Sequence, residues 1–113
     1  MRIAAVGDLH CKANKGNVVR DYLSGVAHAA DVLLLAGDLT NVGLIDEMET
    51  LLDVLADIDI PQMAVLGNHD HQNDQAEILA RMLAGAGICI LDAGVCHIGD
   101  VGFVGTKGFC GGF

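Results

Sequence analysis

Three short blocks place side chains capable of metal or acid–base chemistry directly behind a glycine. Asp8 and His10 stand in GDLH, Asp38 in GDLT, and Asn68, His69, Asp70 and His71 in GNHDH. Carboxylate oxygen, amide oxygen and imidazole nitrogen together suit a divalent ion such as Mn, Fe or Zn. A carboxylate such as Asp38 can bridge two cations. Two ions about 3.5–4 Å apart can hold a hydroxide and clamp a phosphate ester for in-line attack. Other phosphate chemistries lack their signatures: there is no GxxxxGK[ST] loop, and GDLHCK is not GxGxxG.

Each block alone has an ordinary explanation. Gly-Asp after a strand is a common turn, and Asp38 alone reads as a turn or helix-cap residue. Asp8-x-His10 alone fits ordinary loop hydrogen bonding, and GNHD alone fits a left-handed turn. Their combination carries the argument, because each block follows a short apolar run: RIAAV (2–6), VLLLA (32–36) and MAVLG (63–67). The run at 32–36 does not alternate polar with apolar residues, so it reads as a strand buried on both faces. In an open parallel sheet the carboxyl ends of the strands form one rim, where ligands bind. Three successive strands would therefore bring all three blocks to a single edge.

Helical periodicity fills the intervals. Val19, Leu23, Val26 and Ala30 recur at helical spacing, as do Leu44, Met48, Leu51, Leu52, Leu55 and Ile58. Asp46, Glu47, Glu49, Asp53 and Asp57 lie mostly elsewhere on the second wheel, and Pro61 ends the pattern. Asp74 with Glu77 has the form of a capping box opening a third helix, which carries Ile78, Leu79, Met82 and Leu83. Gly85 and Gly87 close it. ICIL (88–91) predicts a fourth strand, and the pieces at 95–98 and 101–104, separated by Gly-Asp, predict a hairpin. The fold class expected is α/β with a mainly parallel sheet. No repeat, low-complexity segment or interdomain linker interrupts it.

Composition bounds the rest. A chain of 113 residues, 52% hydrophobic and 19% charged, is one small domain with a real core and is not disordered. Its net charge of −9 disfavours nucleic acid or an anionic membrane as a general partner, although bound divalent cations would invert the sign of an acidic site. Cys11, Cys89, Cys96 and Cys110 form no CxxC pair, so buried packing residues are expected, not bridges. With no signal-peptide pattern and no apolar stretch of transmembrane length, the expected location is cytoplasmic.

Asp8-x-His10, Gly37-Asp38 and Gly67-Asn68-His69-Asp70 together resemble the first three signature blocks of the calcineurin-like metallophosphoesterases, in order, spacing and strand–loop placement. The resemblance extends over about the first 70 residues. It implies the N-terminal part of a four-layer α/β/β/α sandwich and two divalent metal ions (Mn, Fe, Zn, Co or Ni, with Mn favoured). It would make Asp8 and His10 ligands of one metal, Asp38 the bridge, and Asn68 a ligand of the second. His69 would be the general acid, binding no metal, with Asp70 orienting its imidazole. The nucleophile implied is a metal-bound hydroxide, and the substrate a phosphate mono- or diester.

The family's later Gly-His and Gly-His-x-His blocks have no counterpart. After His71 the only histidine is His97, read as a hairpin residue and not a ligand. Residues 1–113 therefore read as a single, incomplete domain whose second metal would have only Asp38 and Asn68, too few for tight binding. A sheet ending in the chain's glycine-rich stretch leaves an edge open, pairs it with another chain in self-association, or is part of something longer, and the last is the reading favoured. A non-catalytic scaffold of the same fold, as some family members are understood to be, is the alternative; His69 and Asp70 favour catalysis. His28 and His71 read as surface residues and Cys11 as packing. Lys12, Lys15 and Lys107 read equally as phosphate attractors or as solubilising loop residues.

Overall fold

The computed structural model describes residues 1–92 and 94–106. Lys107 and Cys110 lie outside the described residues. Four parallel strands, β1 (Ile3–Val6), β2 (Val32–Ala36), β3 (Gln62–Val65) and β4 (Cys89–Ile90), pair in chain order. Ala5 aligns with Leu34, Leu34 with Met63, and Met63 with Cys89. The connections carry α1 (Gly16–Tyr22), α2 (Val26–Ala29), α3 (Ile45–Leu55) and α4 (Ala76–Gly85). Right-handed crossovers between strands laid in sequential order put every connecting helix on the same face of the sheet.

The alternation of strand side chains then builds two cores. Leu33, Leu35 and Ala64 face the helices, packing with Val19 of α1, Met48 and Leu51 of α3, and Leu79 and Leu83 of α4. Val32 and Met63 point to the opposite face, against Leu91, Cys96 and Phe103. The latter two come from the hairpin β5 (Val95–Ile98) and β6 (Val101–Val104), where Cys96 opposes Phe103. Helices, parallel sheet and second sheet give the α, β and β layers of the expected N-terminal part. Leu33, Leu35, Leu51, Leu79 and Leu83 are all at most 1% exposed. Each contributes roughly 1.5–3 kcal/mol through removal of its side chain from water. As expected, β2 is closely packed on both faces, whereas β1 lies at an edge with Ile3 exposed.

Several local expectations change. The helix expected through Val19–Ala30 breaks into α1 and α2, because Gly25 adopts φ +81° and turns the chain between them. The Asp74–Glu77 capping box does not form: Asp74 has φ +55°, and α4 begins after Gln75 with no side-chain cap. The capping carboxylate is instead Glu47 of α3, which accepts the backbone N–H groups of Val42 and Leu44 at 2.9 and 3.1 Å. These bonds satisfy donors that the helix start would otherwise orphan, and they explain why Glu47 is buried. β3 ends at Val65, short of the run at 63–67, and β4 is shorter than the run at 88–91, since it pairs only with Met63 and Ala64.

The expectation of unbridged cysteines is corrected at one pair. Cys89 and Cys96 form a disulfide, with their Cα atoms 6.6 Å apart. β4 ends the parallel sheet and the chain turns back as β5, so the two side chains meet where the hairpin covers the sheet. Cys11 is buried and free, as expected. No helix among the described residues is long and apolar enough to cross a membrane.

Candidate metal centre

The first two strand–loop junctions are held together by backbone bonds beyond the ends of β1 and β2. Asp8 N–H donates to Gly37 O at 3.1 Å, His10 N–H to Asp38 O at 2.9 Å, and Cys11 N–H to Leu39 O at 2.9 Å. Asp8, His10 and Asp38 adopt φ of 56°, 47° and 51°, and they are three of the five non-glycine residues with positive φ among those described. A non-glycine residue in this region costs on the order of 1 kcal/mol or more, and such strain concentrates at functional sites. The folded sheet thus holds three candidate ligands in a backbone conformation that a free loop would avoid.

The third junction docks on the second. The Asp38 carboxylate accepts the His69 backbone N–H at 2.9 Å through Oδ1. Gly67 permits this approach, because a Cβ there would collide with the Asp38 amide nitrogen and carboxylate. Asp70 points inward and is fully buried. Its carboxylate accepts Leu39 N–H at 3.1 Å, Thr40 N–H at 2.8 Å, the Thr40 hydroxyl at 2.6 Å and Gly67 N–H at 2.8 Å. One buried side chain, accepting four hydrogen bonds, therefore locks the GDLT and GNHDH loops to each other.

That geometry changes one expected role. Asp70 makes no hydrogen bond to the His69 imidazole. His69 Nδ1 lies 2.6 Å from the backbone carbonyl oxygen of Asn41, which fixes Nδ1 as the protonated nitrogen in the neutral ring and leaves Nε2 free. The carboxylate is committed to backbone donors on the other side of the loop, so the orienting group is Asn41 O. Gly43 completes this turn at φ +78°, where a Cβ would come within 2.8 Å of the Asp70 carbonyl oxygen.

His10, Asp38 and His69 converge, each offering one ligand atom within 4.8 Å of the others. The His10 and His69 rings stand edge to face with centroids 4.5 Å apart. One Asp38 oxygen is occupied by His69 N–H, while Oδ2 makes no hydrogen bond among the described residues. Two imidazoles and a carboxylate oxygen are a fitting donor set for a divalent ion of the Mn, Fe or Zn type. His10 Nδ1 is buried without a partner, so its ring is not fully satisfied by protein groups.

Asp8 lies beside this group, its Oδ1 3.8 Å from His10 Nε2 and its side chain 76% exposed. Asn68 is exposed at the head of the short 3-10 turn His69–His71. The sequence blocks thus reach one rim, but the convergent trio includes His69, whose expected role was acid and not ligand. His71 Nδ1 lies 2.9 Å from Gly67 O and the residue is exposed, which fits its surface reading. His28 is exposed, and His97 sits on β5, away from the cluster. Sequence reasoning passed over Thr40, Asn41 and Gly43. The available signal was their position immediately after Asp38, in GDLTNVG. Burial pushes the neighbouring Cys11 thiol above its ordinary range, and the Glu47 carboxylate adds to the effect.

A family model for calcineurin-like phosphoesterases matches residues 1–109. Two similar proteins are named probable cyclic nucleotide phosphodiesterases. One, from Vesicomyosocius okutanii subsp. Calyptogena okutanii (strain HA), is 30% identical over 86 residues, covering 69% of this chain and 37% of that protein. The other, from Ruthia magnifica subsp. Calyptogena magnifica, is 38% identical over 53 residues, covering 47% of this chain and 23% of that protein. The matching segment thus spans well under half of either relative. The match over nearly the whole sequence coincides with strand-end blocks that meet at one metal-competent rim, and the chain belongs to the calcineurin-like phosphoesterase family.

Proposed function

We propose that this chain supplies part of a metal-dependent phosphodiesterase centre, whose residues would hold divalent ions for the hydrolysis of a phosphate ester. The convergence of His10, Asp38 and His69 carries this reading. The phosphodiester class is favoured by the names of the two relatives, both probable cyclic nucleotide phosphodiesterases. Asp8 and His10 would hold one ion, Asp38 would bridge, and Asn68 would contribute to the second ion with ligands from a further segment. Bound divalent ions would acidify a water and neutralise charge on the phosphate.

The chain's own residues do the rest. Asp38 is held by His69 N–H through one oxygen, which orients the other towards the rim. Asn41 O holds Nδ1–H of His69, so Nε2 carries the proton that passes to the leaving oxygen when the ring is cationic. Asp70 fixes both loops without entering the reaction. A second reading, in which His69 is a metal ligand, uses the same free Nε2 and is exclusive with the acid role.

The experiment is manganese stoichiometry and hydrolysis of bis(p-nitrophenyl) phosphate, for the wild type and for Asp38→Asn. Manganese bound by the wild type, one ion more firmly than the second, with turnover, and both binding and turnover lost in the variant, support the proposal. Absence of metal binding would sink it and leave the scaffold reading.

A further inference from the structure

Next to the candidate ligands, a cavity of about 360 Å³ is lined by Leu9, His10, Lys12, Lys15, Val18 and Val19. A second cavity of about 230 Å³ shares Leu9, Val18 and Val19 and adds Asp8 and Tyr22. Together they form an apolar wall running behind Asp8 and His10, with two lysines at one end. Val18 and Tyr22 are 67% and 70% exposed, an unusual display of large apolar groups beside an otherwise polar rim.

The charges are as distinctive. The chain has six Lys and Arg residues against fifteen Asp and Glu. Arg2 is paired with Asp31 and Arg20 with Asp57. Lys12 and Lys15 form no ion pair among the described residues. The turn in which Lys15 N–H donates to Lys12 O at 3.1 Å gathers both onto the lip of the His10 cavity. In a chain of net charge −9, a multiply anionic substrate approaches against the overall field, and local unpaired ammonium groups offset that repulsion.

We propose that this cavity is a specificity subsite for a phosphate ester whose alcohol carries a second phosphate, with Lys12 and Lys15 receiving that phosphate and Leu9, Val18 and Val19 packing against the body of the alcohol. This inference rests on the phosphoesterase reading for the first phosphate. A nucleoside bearing phosphates at two positions has the required chemistry: a flat, partly apolar body between two anionic groups. Ammonium–phosphate hydrogen bonds are charge-assisted and act mainly on binding, so the subsite is expected to lower KM more than it raises kcat.

The test compares two esters with the manganese-loaded protein: thymidine 5′-(p-nitrophenyl phosphate) and the same compound with a 3′-phosphate. The preference expected in kcat/KM is about tenfold or more for the 3′-phosphorylated ester, carried by KM. In Lys12→Gln/Lys15→Gln, that preference should fall to about twofold or less. Both substitutions are at exposed residues, and thermal unfolding checks that the variant is folded. Equal turnover of the two esters by the wild type, or a preference that survives in the variant, overturns the subsite. If neither ester is hydrolysed, the phosphoesterase reading fails and calorimetric titration with thymidine 3′,5′-bisphosphate decides the subsite separately. Binding weakened about tenfold by the double substitution upholds it. Absent or unchanged binding overturns it.

Discussion

Thr40 donates its hydroxyl to the Asp70 carboxylate at 2.6 Å, and both side chains are fully buried. The same carboxylate holds the backbone of Leu39, Thr40 and Gly67, so its removal strands four donors in the interior. Each buried, unpaired polar group costs about 1–3 kcal/mol, less what local relaxation recovers. Asp70→Ala is therefore expected to destabilise the fold by about 3 kcal/mol or more, and Thr40→Val by about 1 kcal/mol. Thermal denaturation checks both. A melting temperature for Asp70→Ala equal to that of the wild type would show that this clamp does not hold the loops.

Removing the His69 imidazole tests its proposed proton-transfer role through its dependence on the leaving group. A general acid typically contributes 10²–10⁴-fold, about 3–5 kcal/mol of barrier, and it matters most when the departing alcohol is a poor leaving group. His69→Ala should slow an alkyl ester far more than a p-nitrophenyl ester, whose departing phenolate needs no proton. Equal losses on both substrates would instead favour the reading of His69 as a ligand.

Metal binding at the proposed site would be linked to stability, because the three loops that carry the candidate ligands meet only in the folded state. At a concentration 100 times its dissociation constant, an ion that binds the native state alone stabilises it by about 2.7 kcal/mol. Manganese should raise the melting temperature, a chelator should reverse the rise, and Asp38→Asn should lose most of it. Differential scanning calorimetry at graded manganese concentrations provides the measurement. A shift of the same size in the variant would place the bound ion elsewhere.

The start of β1 supplies a pH prediction. Arg2 holds the exposed Asp31 carboxyl below its usual range, first through its backbone N–H at 2.6 Å and then through its guanidinium. The folded value is thus lower than the unfolded one, so the stabilisation is present above the unfolded value and is lost as pH falls through the folded value. Asp31→Asn should lower the denaturant midpoint near neutral pH, and the gap from the wild type should close well below the reference value of 3.8. Urea titrations of both proteins across this range will show it. A gap that persists into strong acid would mean the carboxylate charge is not its source.

The sequence was most legible where a pattern is short and repeats. VLLLA reads as a doubly buried strand because it lacks any polar face, and β2 is that strand. The hairpin limits at 95–98 and 101–104 follow from two β-prone pieces around Gly-Asp. The capping role of Glu47 was not legible, because a helical wheel places a carboxylate relative to helix faces and says nothing of the N–H groups just upstream. Asp70 was misassigned for a related reason. Adjacency to His69 suggests a partner along the chain, yet its donors come from Leu39 and Thr40, about thirty residues earlier. The Cys89–Cys96 pairing was likewise hidden, since it depends on how the hairpin folds back over β4.

The strand order β1-β2-β3-β4 also carries a temporal consequence. Each new strand pairs with the one synthesised just before it, so the sheet can grow vectorially as the polypeptide leaves the ribosome. Asp8, His10, Asp38 and His69 all lie before α4, and Asp70 emerges directly behind them to fasten the last two loops. The rim that carries the candidate ligands is thus laid down in outline before the hairpin that covers the opposite face has been translated.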